Sequence, residues 1–159
     1  MKVTIHNTGQ VVEFKGKKVL RIIASGAVGP STANTRIDWS ELYYVRETPE
    51  EVAAMAAAEL PTLVQFLTPG GKPVWVNGAK AHGPKHLFKQ SRTGGIESAI
   101  TIDGIKPFQF LSTAPEEVAA VIDAAGGEVL PILSDEMVDH LLKSMQNLTM
   151  PIEDPDLGY

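Results

Sequence analysis

Val11-Val12-Glu13-Phe14, followed by Gly16-Lys17-Lys18-Val19-Leu20-Arg21, is echoed downstream by Leu63-Val64-Gln65-Phe66 and then Gly71-Lys72-Pro73-Val74-Trp75-Val76. After each copy comes a loop that opens on Gly-Ala and turns at Gly-Pro, Gly26-Ala27-Val28-Gly29-Pro30 and Gly78-Ala79-Lys80-Ala81-His82-Gly83-Pro84. A strand and a helix start then close each copy. The first is Leu42-Tyr43-Tyr44-Val45-Arg46-Glu47-Thr48-Pro49-Glu50-Glu51-Val52, the second Phe108-Gln109-Phe110-Leu111-Ser112-Thr113-Ala114-Pro115-Glu116-Glu117-Val118. Matched blocks in one order read as a tandem duplication of a supersecondary unit. The fold expected is α+β, with antiparallel sheets and a C-terminal amphipathic helix. The division expected is a β-rich repeat with a terminal helix over 1–60, a second over 61–128, and a helix with a tail over 129–159.

Within copy one, residues 2–6 and 11–14 flank the turn-forming Asn7-Thr8-Gly9. Residues 18–24, 36–40 and 42–46 follow as strands, separated by a loop over 25–35. Thr48-Pro49-Glu50-Glu51 reads as a capping box, with proline at the first helical position. The second copy offers Thr113 or Ala114 as the cap before Pro115-Glu116, and Gly126-Gly127 as the stop. Alternation places Leu42, Tyr44, Phe108 and Phe110 in the cores and turns Tyr43 and Gln109 outward. Trp75 matches Leu20 and reads as core. Pro131 marks 129–133 as an edge or covering segment. Ser134 then starts a helix whose Met137, Val138, Leu141, Leu142, Met145 and Leu148 share one face. That face reads first as a lid on the sheets and second as a dimer contact. The Ala-rich run 53–58 invites close approach, so a homo-oligomer is a further expectation.

At 159 residues the chain fits one domain, and ~70% of its unfolded surface can be buried. It has no cysteine, which removes thiol catalysis, thiolate metal sites and disulfides. No apolar run approaches the ~20 residues that span a bilayer, so the expectation is a soluble, cytoplasmic protein without membrane attachment. A net charge of −5 argues against general nucleic-acid coating.

Against that acidic background, the segment 78–95 carries Lys80, His82, Lys85, His86, Lys89 and Arg92 without an acid until Glu97. Lysine offers a point charge and arginine a planar fork, while glycine-rich amides wrap anions. Phe88 adds a ring for stacking. The counterpart loop of copy one contributes Ser31, Thr32, Asn34 and Arg36 as hydrogen-bonding groups, of which Arg36 joins the site. The expectation is a non-enzymatic binding protein that engages an anionic partner through 78–95. That partner is a nucleotide or other phosphate ligand, a nucleic acid, or an acidic protein surface. The alternative is an assembly component whose β units and helices form subunit contacts. A hydrolase or transferase using His82 or His86 ranks last.

Gly83 and Pro84 separate the two histidines and no carboxylate stands near them in sequence, so no metal site and no cofactor are expected. Ser40, Ser91 and Ser98 lack a nucleophile elbow. Asp38 and Asp103, in Arg36-Ile37-Asp38 and Thr101-Ile102-Asp103, read as turn aspartates that cap backbone amides, and Asp103-Gly104 as a hairpin turn.

Residues 63–125 resemble the small flagellar FlbD-like family and related short bacterial β-rich proteins. The resemblance rests on Phe66-Leu67-Thr68-Pro69-Gly70-Gly71-Lys72-Pro73-Val74-Trp75-Val76-Asn77 and on Thr113-Ala114-Pro115-Glu116-Glu117-Val118. It implies a bacterial or phage accessory protein without a catalytic centre. The basic insertion and the duplication depart from that short pattern.

Overall fold

The computed structural model describes residues 1–26 and 33–149. Ser31 and Thr32, the Gly-Pro of the first loop, and the tail 150–159 lie outside the described residues. Seven elements come first: β1 (Lys2–Thr4), β2 (Val11–Glu13), a 3-10 turn (Gly16–Lys18), β3 (Arg21–Ala24), β4 (Thr35–Asp38), β5 (Leu42–Val45) and α1 (Pro49–Ala57). Then come β6 (Leu63–Leu67), β7 (Pro73–Asn77), a 3-10 turn (Gly78–Lys80), β8 (Ala81–Lys85), β9 (Ser98–Ile102), β10 (Ile105–Leu111) and α2 (Pro115–Ala125). β11 (Glu128–Val129) and α3 (Asp135–Thr149) follow.

The order of hairpin, turn, three-strand meander and helix thus occurs twice, interrupted the second time by a short 3-10 turn, Lys89–Ser91. The correspondence by element differs from the pairing of the sequence blocks. Val11–Glu13 takes the place of β7 rather than of Leu63–Leu67, and Gly16 the place of Gly78 rather than of Gly71. Packing agrees with this shift. A Cβ on Gly16 would meet Glu59 at 2.8 Å, and one on Gly78 would meet Ala125 at 2.6 Å. Glu59 and Ala125 stand at the same distance along the chain from Pro49 and Pro115. The Arg46 amide donates to Thr4 O and the Ser112 amide to Leu67 O, so each meander is tied to the first strand of its hairpin.

The sheets cross this division. A five-stranded antiparallel sheet runs β5-β4-β3-β7-β6, so the second hairpin extends the first meander. A four-stranded sheet runs β10-β9-β8-β11, with β11 parallel to β8, and β1–β2 form a separate ribbon. Two apolar clusters fill the interior. Val3, Val19, Ile22, Ile37, Val45 and Val52 centre the first, and Phe66, Val76, Ile100, Leu111, Val118 and Ile122 the second. Leu20 belongs to the second cluster, and Trp75 is half-buried at the margin of the first. Burying a valine, leucine or isoleucine contributes roughly 1.5–3 kcal/mol, so these clusters account for the inward face of most strands.

Helix starts follow the local chemistry. Thr48 accepts from the Glu51 amide while Glu51 accepts from the Thr48 amide, a complete capping box. Ala114 caps α2 without a side-chain bond, since alanine has no acceptor, and Thr113 Oγ1 instead accepts from the Leu67 amide. Gly126 ends α2 in the left-handed region.

Three expectations are corrected. Tyr43 packs on Phe14 and Trp39, and Gln109 is buried, whereas Leu42, Phe108 and Phe110 are exposed; the alternation has the opposite phase. Asp38 is a buried ion-pair partner rather than a cap. The third concerns α3, which is not a lid packed on the sheets. Ser134 caps it and Val138 is buried, but Met137, Leu141, Leu142 and Leu148 remain exposed.

Candidate functional site

The segment 78–95 is not the open loop that its glycines suggest. Asn77 Oδ1 accepts from the Ala79 amide and from Thr62 Oγ1, fixing the turn that carries Lys80. Residues 81–85 then enter the sheet as β8, with Gly83 pressed so closely on Ile100 that a Cβ would meet it at 2.8 Å. Lys80, His82 and Lys85 therefore project from fixed backbone.

Acids distant in sequence answer part of this charge, at His82 and Arg92. His82 Nε2 lies 2.7 Å from Asp103 Oδ1, and Nδ1 lies 3.3 Å from Glu128 Oε1. The Asp103 hydrogen bond above all, with a smaller one from Glu128, raises the imidazole pKa against a desolvation that lowers it. The expectation that no carboxylate stands near this histidine is thus overturned by the fold. The carboxylates engage opposite ring nitrogens, and no group of three such side chains among the described residues could hold a metal ion. Arg92 Nη2 donates to Asp135 Oδ2 at 2.6 Å, at the start of α3. His86, Phe88 and Lys89 line a groove shared with Asp135 and Asp139, and the His86 and Phe88 rings meet edge-on at 6.0 Å. Lys85 lines a narrow cleft with His86, Arg92 and Glu97.

Arg36 stands apart from all of these. Its guanidinium donates to Asp38 Oδ1 at 2.9 and 3.0 Å, a hydrogen bond that raises its pKa despite partial burial. The other carboxylate oxygen of Asp38 takes Arg21 Nε at 2.9 Å, and Arg21 Nη1 reaches Gln109 on β10 at 2.8 Å. This chain of polar contacts joins the two sheets. The expected site is therefore dispersed: Arg36 belongs to the inter-sheet network, Lys80 and His82 lie near the β9–β10 turn, and Lys85, His86, Phe88, Lys89 and Arg92 lie towards α3.

A different cluster emerges where the 3-10 turns Gly16–Lys18 and Gly78–Lys80 meet. Lys17 and Lys18 from the first and Lys80 from the second line one open groove of about 710 Å³. All three lysines are exposed. Leu20 and Trp39 contribute apolar lining, Ser40 adds a hydroxyl, and Asp103 is the acid among the lining residues. Lys18 Nζ sits 5.8 Å from the Trp39 ring centroid, within cation–π range. Trp39 is itself held by Phe14 at 5.4 Å and Tyr43 at 5.3 Å. Lys17 and Lys18 stand in a short cationic run with Lys15 and Arg21, so local charge density alone could have found them. A second signal is positional, since Gly16-Lys17-Lys18 and Gly78-Ala79-Lys80 become equivalent once the turns are aligned by element.

No protein-family model, curated protein or solved structure matches this chain. No helix among the described residues is long and apolar enough to cross a membrane.

Proposed function

We propose that this chain is a non-enzymatic accessory protein that binds a phosphate-bearing ligand of nucleotide size in the groove between the two 3-10 turns. The observation that carries this reading is the convergence of Lys17, Lys18 and Lys80 on one groove containing a single acid. A volume of about 710 Å³ suits such a ligand. The other cations of 78–95 support the reading less, because Arg92 is already paired with Asp135 and His82 with Asp103.

Calorimetry of the full chain against mono-, di- and cyclic nucleotides and short single strands, at low salt, tests it. Binding is expected to weaken as salt rises, since bound counterions are displaced. Lys17→Glu combined with Lys80→Glu should lower affinity roughly 100-fold, about 1.4 kcal/mol per reversed charge. The melting temperature should stay nearly constant, as exposed charges contribute little to folding. Lys85→Glu with Lys89→Glu should leave the affinity within a fewfold of the native value. No binding across the panel would sink the proposal.

One observation favours the second reading, an assembly component: Met137, Leu141 and Leu148 stand exposed along α3. Under that reading the native chain elutes as an oligomer, and Leu141→Asp with Leu148→Asp returns it to a monomer. A native chain that stays monomeric at high concentration removes this reading.

A further inference from the structure

We infer that His82 sets the anion affinity of the lysine groove according to pH, by neutralising the one acid that lines it. The inference rests on the groove reading above and adds its regulation.

Asp103 shares the groove with Lys17, Lys18 and Lys80, and its Oδ1 is 2.7 Å from His82 Nε2. An ionised Asp103 repels an incoming phosphate and competes with it for Lys80. A protonated His82 cancels that charge at hydrogen-bond distance, whereas a neutral ring keeps the contact and adds no charge. The charged groups facing His82 are Asp103 from the turn after β9 and Glu128 from β11, with Lys80 two residues upstream on the same run. Both carboxylates meet ring nitrogens, and only the doubly protonated imidazole donates to both. Imidazole is the side chain that ordinarily changes charge between about pH 5 and 8, so the change in groove charge comes from His82.

The sign follows directly. As pH falls through the raised pKa of His82, the groove gains one positive charge and binds anions more tightly; as pH rises past it, affinity declines. Linkage requires the reciprocal effect, so bound anion raises the His82 pKa further. The side chain is 29% exposed, which leaves it free to exchange protons with solvent.

The test uses a short thymidylate strand, whose phosphodiesters and bases keep their charge between about pH 5.5 and 8.5. Native affinity should rise roughly three- to tenfold from the upper to the lower end of that range. His82→Gln should give a flat profile near the native high-pH value. Asp103→Asn should bind more tightly than the native chain at the upper end of the range, with the midpoint moved to lower pH, and Asn-Gly suits the hairpin turn, so this variant keeps the fold. Glu128→Gln should keep the native amplitude and move its midpoint to lower pH. A pH slope that survives in His82→Gln overturns this inference and leaves the groove reading standing. Absence of strand binding at every pH, in the native chain and in Asp103→Asn alike, overturns this inference, and absence of binding across the nucleotide panel as well overturns the groove reading.

Discussion

Replacing Asp38 by alanine is expected to lower the unfolding free energy by about 3–5 kcal/mol, the cost of removing one partner from a buried ion pair. Asp38 is 6% exposed and accepts from two guanidinium groups. Arg21, whose side chain is 13% exposed, would keep only Gln109 as its hydrogen-bond partner on the opposite sheet. Its charge would then be buried without an opposite charge. Arg36 is the control. Its side chain is 37% exposed, and Arg36→Ala should cost no more than about 1 kcal/mol. Chemical denaturation of the three proteins measures both differences, and equal losses for the two variants would show that burial of the network is irrelevant to its contribution.

A second large effect is expected at Gly127. Its hypothetical Cβ would stand 2.2 Å from Gly78 O, 2.8 Å from Ala81 O and 2.7 Å from Ile122 Cγ2. Two of these three neighbours are backbone, fixed by the turn and by β8, so neither can retreat cheaply. Gly127→Ala should destabilise by about 3 kcal/mol, at the upper end of overpacking costs. Gly126 offers the contrast: it has open space around it but a φ of 84°, so Gly126→Ala should cost only about 1 kcal/mol of backbone strain. Because Gly127 packs on the turn that carries Lys80, Gly127→Ala should also weaken anion binding, whereas Gly126→Ala should not. The same denaturation and calorimetry would reveal whether the order of the two is reversed.

Much of the local structure was legible because its causes are local. Thr48, Pro49 and Glu51 specify a helix start without reference to the rest of the chain, and Asp103-Gly104 specifies its hairpin in the same way. Strand phase was less accessible. Leu42, Tyr43, Tyr44 and Val45 are all apolar or aromatic, so no alternation tells which pair faces inward; the register of Tyr43 opposite Ile37 decides it. On β10 the interior position belongs to a polar residue, Gln109, because Arg21 awaits it across the interface. A register shift between Ile105 and Gln109 further breaks the period of two.

The charge of 78–95 misled for a related reason. Local density is visible in a sequence, but neutralisation is a tertiary property. Asp103, Glu128 and Asp135, which answer His82 and Arg92, lie more than twenty residues from the groups they pair with. Lys17 and Lys18, conversely, lie in a dense cationic run with Lys15 and Arg21, but that a second turn brings Lys80 to the same groove is again a tertiary property.

The strand order carries a consequence for the edge of the second sheet. The outer edge of the first meander is closed by β7, a strand borrowed from the hairpin that comes next. A rule in which each meander is completed by its successor has no natural last member: it would propagate for as long as units were added, and a final meander would be left with a bare, adhesive rim. Here that rim belongs to β8, and the chain closes it with a two-residue parallel strand, Glu128–Val129, in place of another hairpin. Such short, charged strands are the ordinary means by which sheets discourage recruitment of foreign strands. β11 lies on β8 where β7 lies on β3, and its two residues offer a foreign strand little to pair with.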